Sequence, residues 1–241
     1  MSDPKDTAFS EEQFDKLYPL GVERHYWSRC RNKVIAHTLR KVNAVGPMLE
    51  IGCGKGVVVE YLRNDGFDIT GIELAPVKAL PSVATFVKTG ADVLDMDPAV
   101  CATIRTILLL DVIEHIADSS VELARAFALL APGGHLLILA PAHTFLWSPL
   151  DDAVGHYRRY TKAVLRSELP AGAQEVRLFH LDALGMALSL GNRFVTARSL
   201  PTEGQIRFWD RWVVRPSQVL DPLVGYRFGR SLVGIVRRPA Q

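Results

Sequence analysis

Cysteine is scarce in this chain of 241 residues. Cys30, Cys53 and Cys101 stand far apart, and no CxxC pair occurs. Structural zinc sites and disulfide frameworks use cysteines at short, paired spacings. The cysteine pattern therefore argues against both kinds of scaffold, and it favours a reducing, cytoplasmic setting.

Long apolar runs are missing as well, although 48% of the residues are hydrophobic. A membrane helix needs roughly 18 apolar residues in a row, and no run approaches that length. The first residues, MSDPKDTAFSEEQ, are polar and acidic, unlike a signal peptide. No array of basic and aromatic residues suggests a nucleic-acid surface. We therefore expect a cytoplasmic globular domain whose partner is a small molecule.

Charge is unevenly distributed along the chain. Residues 1–150 carry 14 Lys and Arg against 18 Asp and Glu, whereas residues 151–241 carry 14 against 8. The basic second half can meet an anionic substrate or the surface of a membrane, and it can equally be an ordinary solvated face.

What the chain does contain is three glycines at alternate positions behind an apolar strand. Pro47 to Glu73 reads PMLEIGCGKGVVVEYLRNDGFDITGIE. The pattern predicts a strand, a turn at Gly52, Gly54 and Gly56, a helix from Val57, and a second strand that ends in the acid. This order is typical of half of a doubly wound nucleotide-binding sheet.

The residues around the glycines narrow the choice of ligand. A P-loop fails because Lys55 is followed by Gly56, and a dinucleotide fingerprint fails because Val57 replaces its third glycine. Glu50 precedes the turn and would repel a pyrophosphate, but it suits an ammonium group. S-adenosylmethionine (SAM) carries such a group. An NAD-dependent oxidoreductase is the weaker alternative.

Apolar runs and helical patterns alternate along the rest of the chain. They predict an α/β fold with a doubly wound, mostly parallel sheet of seven strands. We expect a tail and cap helices over residues 1–42 and a SAM-binding domain over residues 43–241. A helical insert is expected over residues 181–230 and a crossover helix over residues 75–80. The aromatic residues of the insert can form an acceptor wall, a homodimer face, a membrane-surface patch or ordinary packing.

The segments EIGCGKG, GAD and LLLDVIEHI resemble the motifs of class I SAM-dependent methyltransferases over roughly residues 20–180. In that family the glycine turn accepts the methionine part of SAM. Glu73 would bind the ribose hydroxyls, and Leu74 would lie against the adenine. Asp92 would accept a hydrogen bond from the amino group of the adenine. The resemblance implies these cofactor positions: Glu50, Gly52, Gly54, Gly56, Glu73, Leu74, Asp92, Val93, Leu110 and Asp111.

A finer resemblance lies in the segments ERHYWSRCR, DVIEHI and GHYRRYT. They are similar to bacterial small-molecule methyltransferases with a type 11 or type 12 domain, whose substrates are often glycans, lipid-linked molecules or quinones. In that group, Trp27 and Arg31 would help to close over SAM. The resemblance implies a lipophilic or anionic acceptor and a role in biosynthesis.

Histidines follow several predicted strands, and a hydroxyl acceptor would need a base to remove its proton. His156 is the first choice because Asp151, Asp152 and Tyr157 flank it. The other histidines at strand ends are His115, His143 and His180. The substrate positions that we predict are Trp147, Tyr157, Arg158 and Arg159. Each histidine can equally be a hydrogen-bonded structural residue.

Asp111, Glu114 and His115 suggest a second mechanism. At positions i, i+3 and i+4 they would share one face of a helix, where they could bind a divalent cation. Ubiquinone-type O-methyltransferases carry a similar segment, and a metal would lower the pKa of a catechol-like or quinol-like hydroxyl. A binding module that keeps SAM without catalysing a reaction is the remaining alternative.

Overall fold

A computed structural model of the protein describes residues 26–192 and 215–240, with Gly204, Phe208 and Trp212 as single positions between those ranges. Seven strands form one sheet in the order β3-β2-β1-β4-β5-β7-β6. The first five strands run parallel, and β7 enters antiparallel between β5 and β6. The strands are β1 (Met48–Ile51), β2 (Ile69–Glu73), β3 (Val87–Thr89), β4 (Thr106–Leu110), β5 (His135–Pro141), β6 (Gln174–Leu181) and β7 (Ser231–Arg237). The predicted doubly wound sheet is confirmed.

Helices cover both faces of this sheet, and single 3-10 turns occur in several of the loops. The helices are α1 (Tyr26–Lys41), α2 (Val57–Asn64), α3 (Pro98–Cys101), α4 (Ser119–Leu129), α5 (Pro149–Ala153), α6 (Lys162–Glu168), α7 (Ala183–Asn192) and α8 (Arg215–Leu223). The 3-10 turns are Pro81–Val83, Val93–Asp95, Ile113–His115 and Thr144–Leu146. Among the helices that the structure describes, none has the length and apolar character to span a bilayer.

Strand β4 shows why the sheet is buried on both faces. All five of its residues are buried, as expected for a central parallel strand. Successive side chains of a strand point to opposite faces. Accordingly, Leu109 joins a core cluster with Leu123 of α4, whereas Leu108 joins a second cluster with Leu39 of α1 and Leu62 of α2. The carboxyl ends of the strands are thereby held at one rigid edge.

The predicted crossover helix over residues 75–80 is wrong. That segment is irregular and leads into the 3-10 turn Pro81–Val83. Two of its backbone amides form hydrogen bonds outside the segment: the amide of Leu80 donates to the carbonyl of Lys55, and the amide of Ala75 donates to the carboxylate of Glu73. These bonds attach the loop to the glycine turn, and the Leu80 amide is then not available for a bond within a helix.

The ends of the chain agree with the predicted elements where they are described. Helix α1 packs on α2, and α8 contacts both α1 and α7. The part of the predicted tail and cap helices before Tyr26 lies outside the described residues, and so does the centre of the 181–230 insert. The domain limits at residues 42 and 43 stay a prediction.

Candidate functional site

The glycine turn after β1 has a backbone that few other residues could adopt. Gly52, Gly54 and Gly56 have φ angles of 75°, 54° and 85°, in the left-handed region. A Cβ atom at Gly52 would stand 2.6 Å from Cγ2 of Val112, and one at Gly56 would stand 2.8 Å from Cγ2 of Val87. The backbone of the turn therefore lies close against the loop after β4 and against strand β3 before helix α2 begins.

Glu73, at the end of β2, holds this turn in place. One carboxylate oxygen accepts the amide of Gly54 at 2.8 Å, and the other accepts the amide of Ala75 at 2.9 Å. The side chain is buried, and burial raises its pKa although the backbone amides oppose the rise. Each carboxylate oxygen offers two lone pairs, so Glu73 can still accept hydrogen bonds from hydroxyl groups.

Glu50 lies inside β1 just below the turn and is 2% exposed. No donor among the described residues reaches its Oε2 atom. Burial raises the pKa of Glu50 to about 8, although the charge of Arg31 and a backbone hydrogen bond from Val59 partly offset this effect. A carboxyl group in this position lacks a cationic partner in hydrogen-bond contact, and a ligand ammonium group could supply one.

Arg31 of α1 forms an ion pair with Asp111, the residue that follows β4. Asp111 has a φ of 55°, so the chain turns sharply at the strand end. The pair connects helix α1 to the same edge of the sheet. Trp27 belongs to α1, but its side chain lies outside the described residues.

At the other end of this edge, Asp92 begins the 3-10 turn Val93–Asp95. Its Oδ1 atom accepts a hydrogen bond from the amide of Leu94 at 3.0 Å, and its own amide donates to Oδ2 of Asp95 at 3.4 Å. Val93 is buried, whereas Leu74 and Asp92 are partly exposed. Asp92 has the capping role of an N-terminal helix residue and keeps a second carboxylate oxygen for other donors.

His156 lies in the loop after β5 and is held by Asp151. Its Nδ1 atom is 2.8 Å from Oδ1 of Asp151, which is buried in helix α5. Arg159 donates to both oxygens of the same carboxylate, at 2.7 and 2.9 Å. Burial alone would raise the pKa of Asp151, but the hydrogen bonds from His156 and Arg159 hold it far below its usual range.

Beside this pair stand Glu114 and His115, in the 3-10 turn after β4. The rings of His115 and His156 are 4.6 Å apart in an edge-to-face arrangement. Burial and the neighbouring His156 lower the pKa of His115 to about 4. Glu114 is 1% exposed, and burial, followed by the charge of Asp111, raises its pKa well above the usual range. We call Glu114, His115 and His156 the histidine cluster.

The comparisons with known proteins agree with this geometry. A family model described as a methyltransferase domain matches residues 23–189, more than two-thirds of the chain. The chain belongs to this methyltransferase family. The match covers the glycine turn, the edge of β1 to β4 and the histidine cluster.

Relatives at low identity carry the same kind of name. The ubiquinone biosynthesis O-methyltransferase of Xanthomonas euvesicatoria pv. vesicatoria (strain 85-10) is 24% identical over 211 residues, covering 76% of this chain and 86% of the relative. The enzyme of that name from Caulobacter sp. (strain K31) is 28% identical over 161 residues, which cover 56% of this chain and 62% of the relative.

Solved structures share the fold. A SAM-dependent methyltransferase from Thermotoga maritima aligns with a TM-score of 0.57 at 17% identity, over 95% of this chain and 99% of the other. Phospholethanolamine N-methyltransferase 2 from Haemonchus contortus, in complex with S-adenosylhomocysteine, aligns with a TM-score of 0.55 at 14% identity, over 96% and 61%. The family match makes the protein a class I methyltransferase enzyme with SAM as its cofactor, and these solved structures share its fold.

The residues present suit SAM. The strand order β3-β2-β1-β4 lines up Asp92, Glu73, the glycine turn and Asp111 along one edge. A ribose would find hydroxyl acceptors on Glu73, and a methionine ammonium group would meet the buried carboxyl of Glu50. Leu110, which is 6% exposed, lines the end of β4 beside them.

The structure corrects the metal set Asp111, Glu114 and His115. Asp111 is paired with Arg31, and the segment forms a 3-10 turn rather than an α-helix. The ligand atoms that come together instead belong to Glu114, His115 and His156, which lie within 4.8 Å of one another.

Both arginines that were predicted to contact the substrate have partners within the protein. Arg158 pairs with Glu168 at 2.9 Å, and Arg159 pairs with Asp151, so both guanidinium groups are engaged within the protein. Tyr157 is 60% exposed and keeps a surface for an acceptor. Trp147 donates its indole N–H to Asp152 at 3.1 Å.

His143 does not belong to the histidine cluster. Its ring stacks on His180 with centroids 4.8 Å apart and on Phe145 at 4.9 Å. Burial lowers the pKa of His143 and of His180, for the latter to about 4. Both side chains have the character of packed structural residues.

Tyr160 is a site residue that sequence reasoning missed. It is fully buried, and its hydroxyl donates to Ser119 at 2.9 Å and lies 3.3 Å from the carbonyl of Ile113. The amide of Tyr157 also reaches the carbonyl of Glu114 at 2.8 Å. These bonds fasten the loop that carries His156 to the turn that carries His115. The only sign of this role in the sequence was that Tyr160 is an aromatic residue in the arginine-containing segment GHYRRYT.

Proposed function

We propose that this enzyme transfers the methyl group of SAM to a hydroxyl oxygen of a small-molecule acceptor, whose proton is lost at His156. The observation that carries the proposal is the contact of His156 with the buried Asp151, beside the turn after β4. The name of the relatives, ubiquinone biosynthesis O-methyltransferase, supports oxygen as the methylated atom and a quinol-like molecule as the acceptor class.

The chemistry follows from the hydrogen bond that His156 makes. SAM, when bound, supplies an electrophilic methyl group on a sulfonium. Asp151 accepts the N–H at Nδ1 of His156, which leaves the lone pair on Nε2, the tautomer that a general base needs. Arg159 and Ser148 hold the Asp151 carboxylate in position. Nε2 can then take the proton of a hydroxyl as the oxygen attacks the methyl carbon.

The acceptor would lie against the exposed surface of the same loop. Tyr157 and Trp147 offer aromatic faces there, and the engaged arginines favour a neutral, partly apolar acceptor over a strongly anionic one. Alignment of the oxygen, the methyl carbon and the sulfur then contributes the larger share of the rate.

The test uses His156→Asn with a set of phenolic and quinol-like acceptors. We expect turnover to fall by at least about 100-fold, the usual contribution of a general base, while the affinity for SAM is unchanged. Methylated product is quantified by mass spectrometry, and SAM affinity by calorimetry. His37→Asn, an exposed residue of α1, is the matched control and should behave as wild type. Full turnover in His156→Asn would contradict the proposal.

A further inference from the structure

We propose that a cavity at the amino ends of β4 and β5 binds a small organic dianion, of the class that carries a phosphate or two carboxylate groups. The cavity lies at the edge of the sheet opposite the carboxyl ends of the strands, where the residues suited to SAM stand. The site is therefore separate from the methyl-transfer site and independent of the proposed O-methylation.

Three neighbouring strands bring basic side chains to this edge. Arg105 directly precedes β4, His135 is the first residue of β5, and Arg237 is the last residue of β7. Because β7 runs antiparallel to β5, Arg237 pairs in register with His135. The amide of His135 in turn donates to the carbonyl of Arg105 at 2.9 Å. The topology of the sheet thus joins two arginines and a histidine that stand far apart in the sequence.

These three residues line one cavity with a volume of about 460 Å³, which we call the arginine cavity. This volume is in the range of small-molecule sites. The turn over residues 132–134 forms another part of the wall, and Asn43, from the segment after α1, adds a side-chain amide that can donate a hydrogen bond. The cavity therefore has the size and the donors for a small polar ligand.

The lining of the arginine cavity contains no acidic residue. Arg158 and Arg166 illustrate the alternative, since each is paired with a carboxylate. Within the described part of the chain, neither Arg105 nor Arg237 has a carboxylate at ion-pair distance. Two uncompensated positive charges in one concave site attract anions from solution.

The effect of Arg237 on its neighbour agrees with this charge imbalance. His135 is 9% exposed; burial lowers its pKa, and the charge of Arg237 lowers it further. The imidazole is then neutral near pH 7 and can donate one hydrogen bond. Arg237 uses its Nε atom to donate to the carbonyl of Gly133 at 3.3 Å. This bond holds the guanidinium in place, while its two terminal nitrogens remain for a ligand.

The charges select the class of ligand. Guanidinium groups bind carboxylate and phosphate oxygens through charge-assisted hydrogen bonds, often two at a time. A dianion balances the two arginine charges, and a phosphate monoester or a dicarboxylate carries about that charge at pH 7. His135 and Asn43 then serve as neutral donors to the remaining oxygens.

Calorimetry on the full-length protein tests the site, with S-adenosylhomocysteine present at saturation so that the cofactor site is filled. The probes are glycerol 3-phosphate and succinate, and glycerol is the neutral probe. We expect one equivalent of at least one anion to bind, with an affinity that falls as salt is added, and glycerol not to bind. The stronger of the two anions distinguishes a phosphate ligand from a dicarboxylate ligand.

Arg105→Gln and Arg237→Gln should each weaken binding of the anion by at least about 10-fold, because each removes charged hydrogen-bond donors. Arg29→Gln removes the same charge from an exposed position of α1 that does not line the cavity, and it should bind as wild type. Unchanged SAM affinity verifies that each variant is folded.

Absence of saturable binding of both anions to wild type would overturn the inference, as would equal binding by wild type and the two cavity variants. Loss of binding in Arg29→Gln to the same degree would also overturn it, because the net charge of the protein would then be the cause. The turnover of His156→Asn bears on the proposed function alone, since His156 does not line the arginine cavity.

Discussion

At the scale of single residues, Gly52 is the position where the backbone of the turn admits least change. Its φ of 75° and the 2.6 Å approach of a Cβ to Val112 are two separate penalties. Gly172 has a similar φ of 82° but nothing within 4 Å of its Cβ position. A comparison of substitutions at the two glycines therefore distinguishes the cost of backbone strain from the cost of steric overlap.

We predict that Gly52→Ala lowers the free energy of unfolding by about 1–3 kcal/mol more than Gly172→Ala does, because only the first substitution adds overlap to the cost of positive φ. It should also weaken SAM binding, since the turn must shift away from Val112. Urea denaturation and calorimetry measure the two effects. Equal losses of stability in both variants would show that the close approach is relieved without cost.

Glu50 shows the limit of reasoning from single residues. The sequence indicated an acid that suits an ammonium group, but it did not reveal that this acid is buried without a cation in hydrogen-bond contact. Its depth comes from β2 and β4, which pair with Glu50 on either side at Gly71 and Leu108. Such burial depends on partners far along the chain, which a local pattern does not contain.

At the scale of elements, the protonation of His180 at the end of β6 should change the stability of the fold with pH. His180 is 6% exposed, and burial, with His143 and Lys162 nearby, lowers its pKa from 6.5 to about 4. The unfolded chain therefore binds a proton more readily than the folded one. The contribution of neutral, buried His180 to the free energy of unfolding is complete above about pH 6.5. It is lost as the pH falls from there to about 4.

We predict that wild type loses up to about 3 kcal/mol of stability through His180 across this interval, by linkage between protonation and folding. His180→Gln should flatten that part of the curve, although His115 contributes a similar slope of its own. Chemical denaturation between pH 4 and pH 7.5 gives the measurement, with His37→Gln as the control. An identical slope in His180→Gln and wild type would contradict the assignment.

The helices of the insert are fastened to β6 by one carboxylate. Asp221 of α8 accepts the amides of Asp182 and Ala183, at 2.9 and 2.8 Å, and is buried. Ser217 of the same helix donates to Asp182 at 2.8 Å. The start of α7 thus depends on α8 for its backbone hydrogen bonds.

We predict that Asp221→Ala destabilises this contact by about 2–4 kcal/mol, since two buried amides lose their acceptor. Hydrogen exchange should accelerate in α7 and α8 and stay slow in β4. Asp97→Ala removes an exposed cap, on the amide of Ala99, and is the control, with an expected cost of about 1 kcal/mol. Uniform acceleration across the sheet would mean that the insert and the core unfold together.

The elements that sequence reasoning missed share a cause. The segment over residues 75–80 has a plausible helical composition, but Glu73 and Lys55 take its backbone groups. At the start of α4, the hydroxyl of Ser119 donates to Glu168 rather than to its own helix. In both cases a distant residue outcompetes the local hydrogen bond, and propensity does not register that competition.

At the scale of the whole molecule, SAM should stabilise the fold, because its site draws on four strands and helix α1. We predict that SAM at 100 times its dissociation constant adds about 2.7 kcal/mol of stability. The melting temperature should then rise by about 5–10 °C in a chain of this length. Differential scanning fluorimetry measures the shift, and NAD at the same concentration is the control. A shift with NAD but not with SAM would reject SAM as the cofactor.

The uneven charge also belongs to this scale. Several basic residues after position 150 have carboxylate partners within the protein, among them Arg158, Arg159 and Arg166. They contribute to holding the loop after β5 and α6 in place, which weakens the interpretation of this half as a site for an anionic substrate.

The sequence by itself determined the seven strands of the sheet, the glycine turn and the acids along one edge, and hence the cofactor. These features depend on burial patterns and backbone angles that neighbouring residues specify. Only the tertiary structure decided which side chains meet in the histidine cluster. His115 and His156 are 41 positions apart and come together because β4 and β5 are adjacent, and because Tyr160 fastens one loop to the other. Such contacts depend on how distant segments pack, and no local pattern records them.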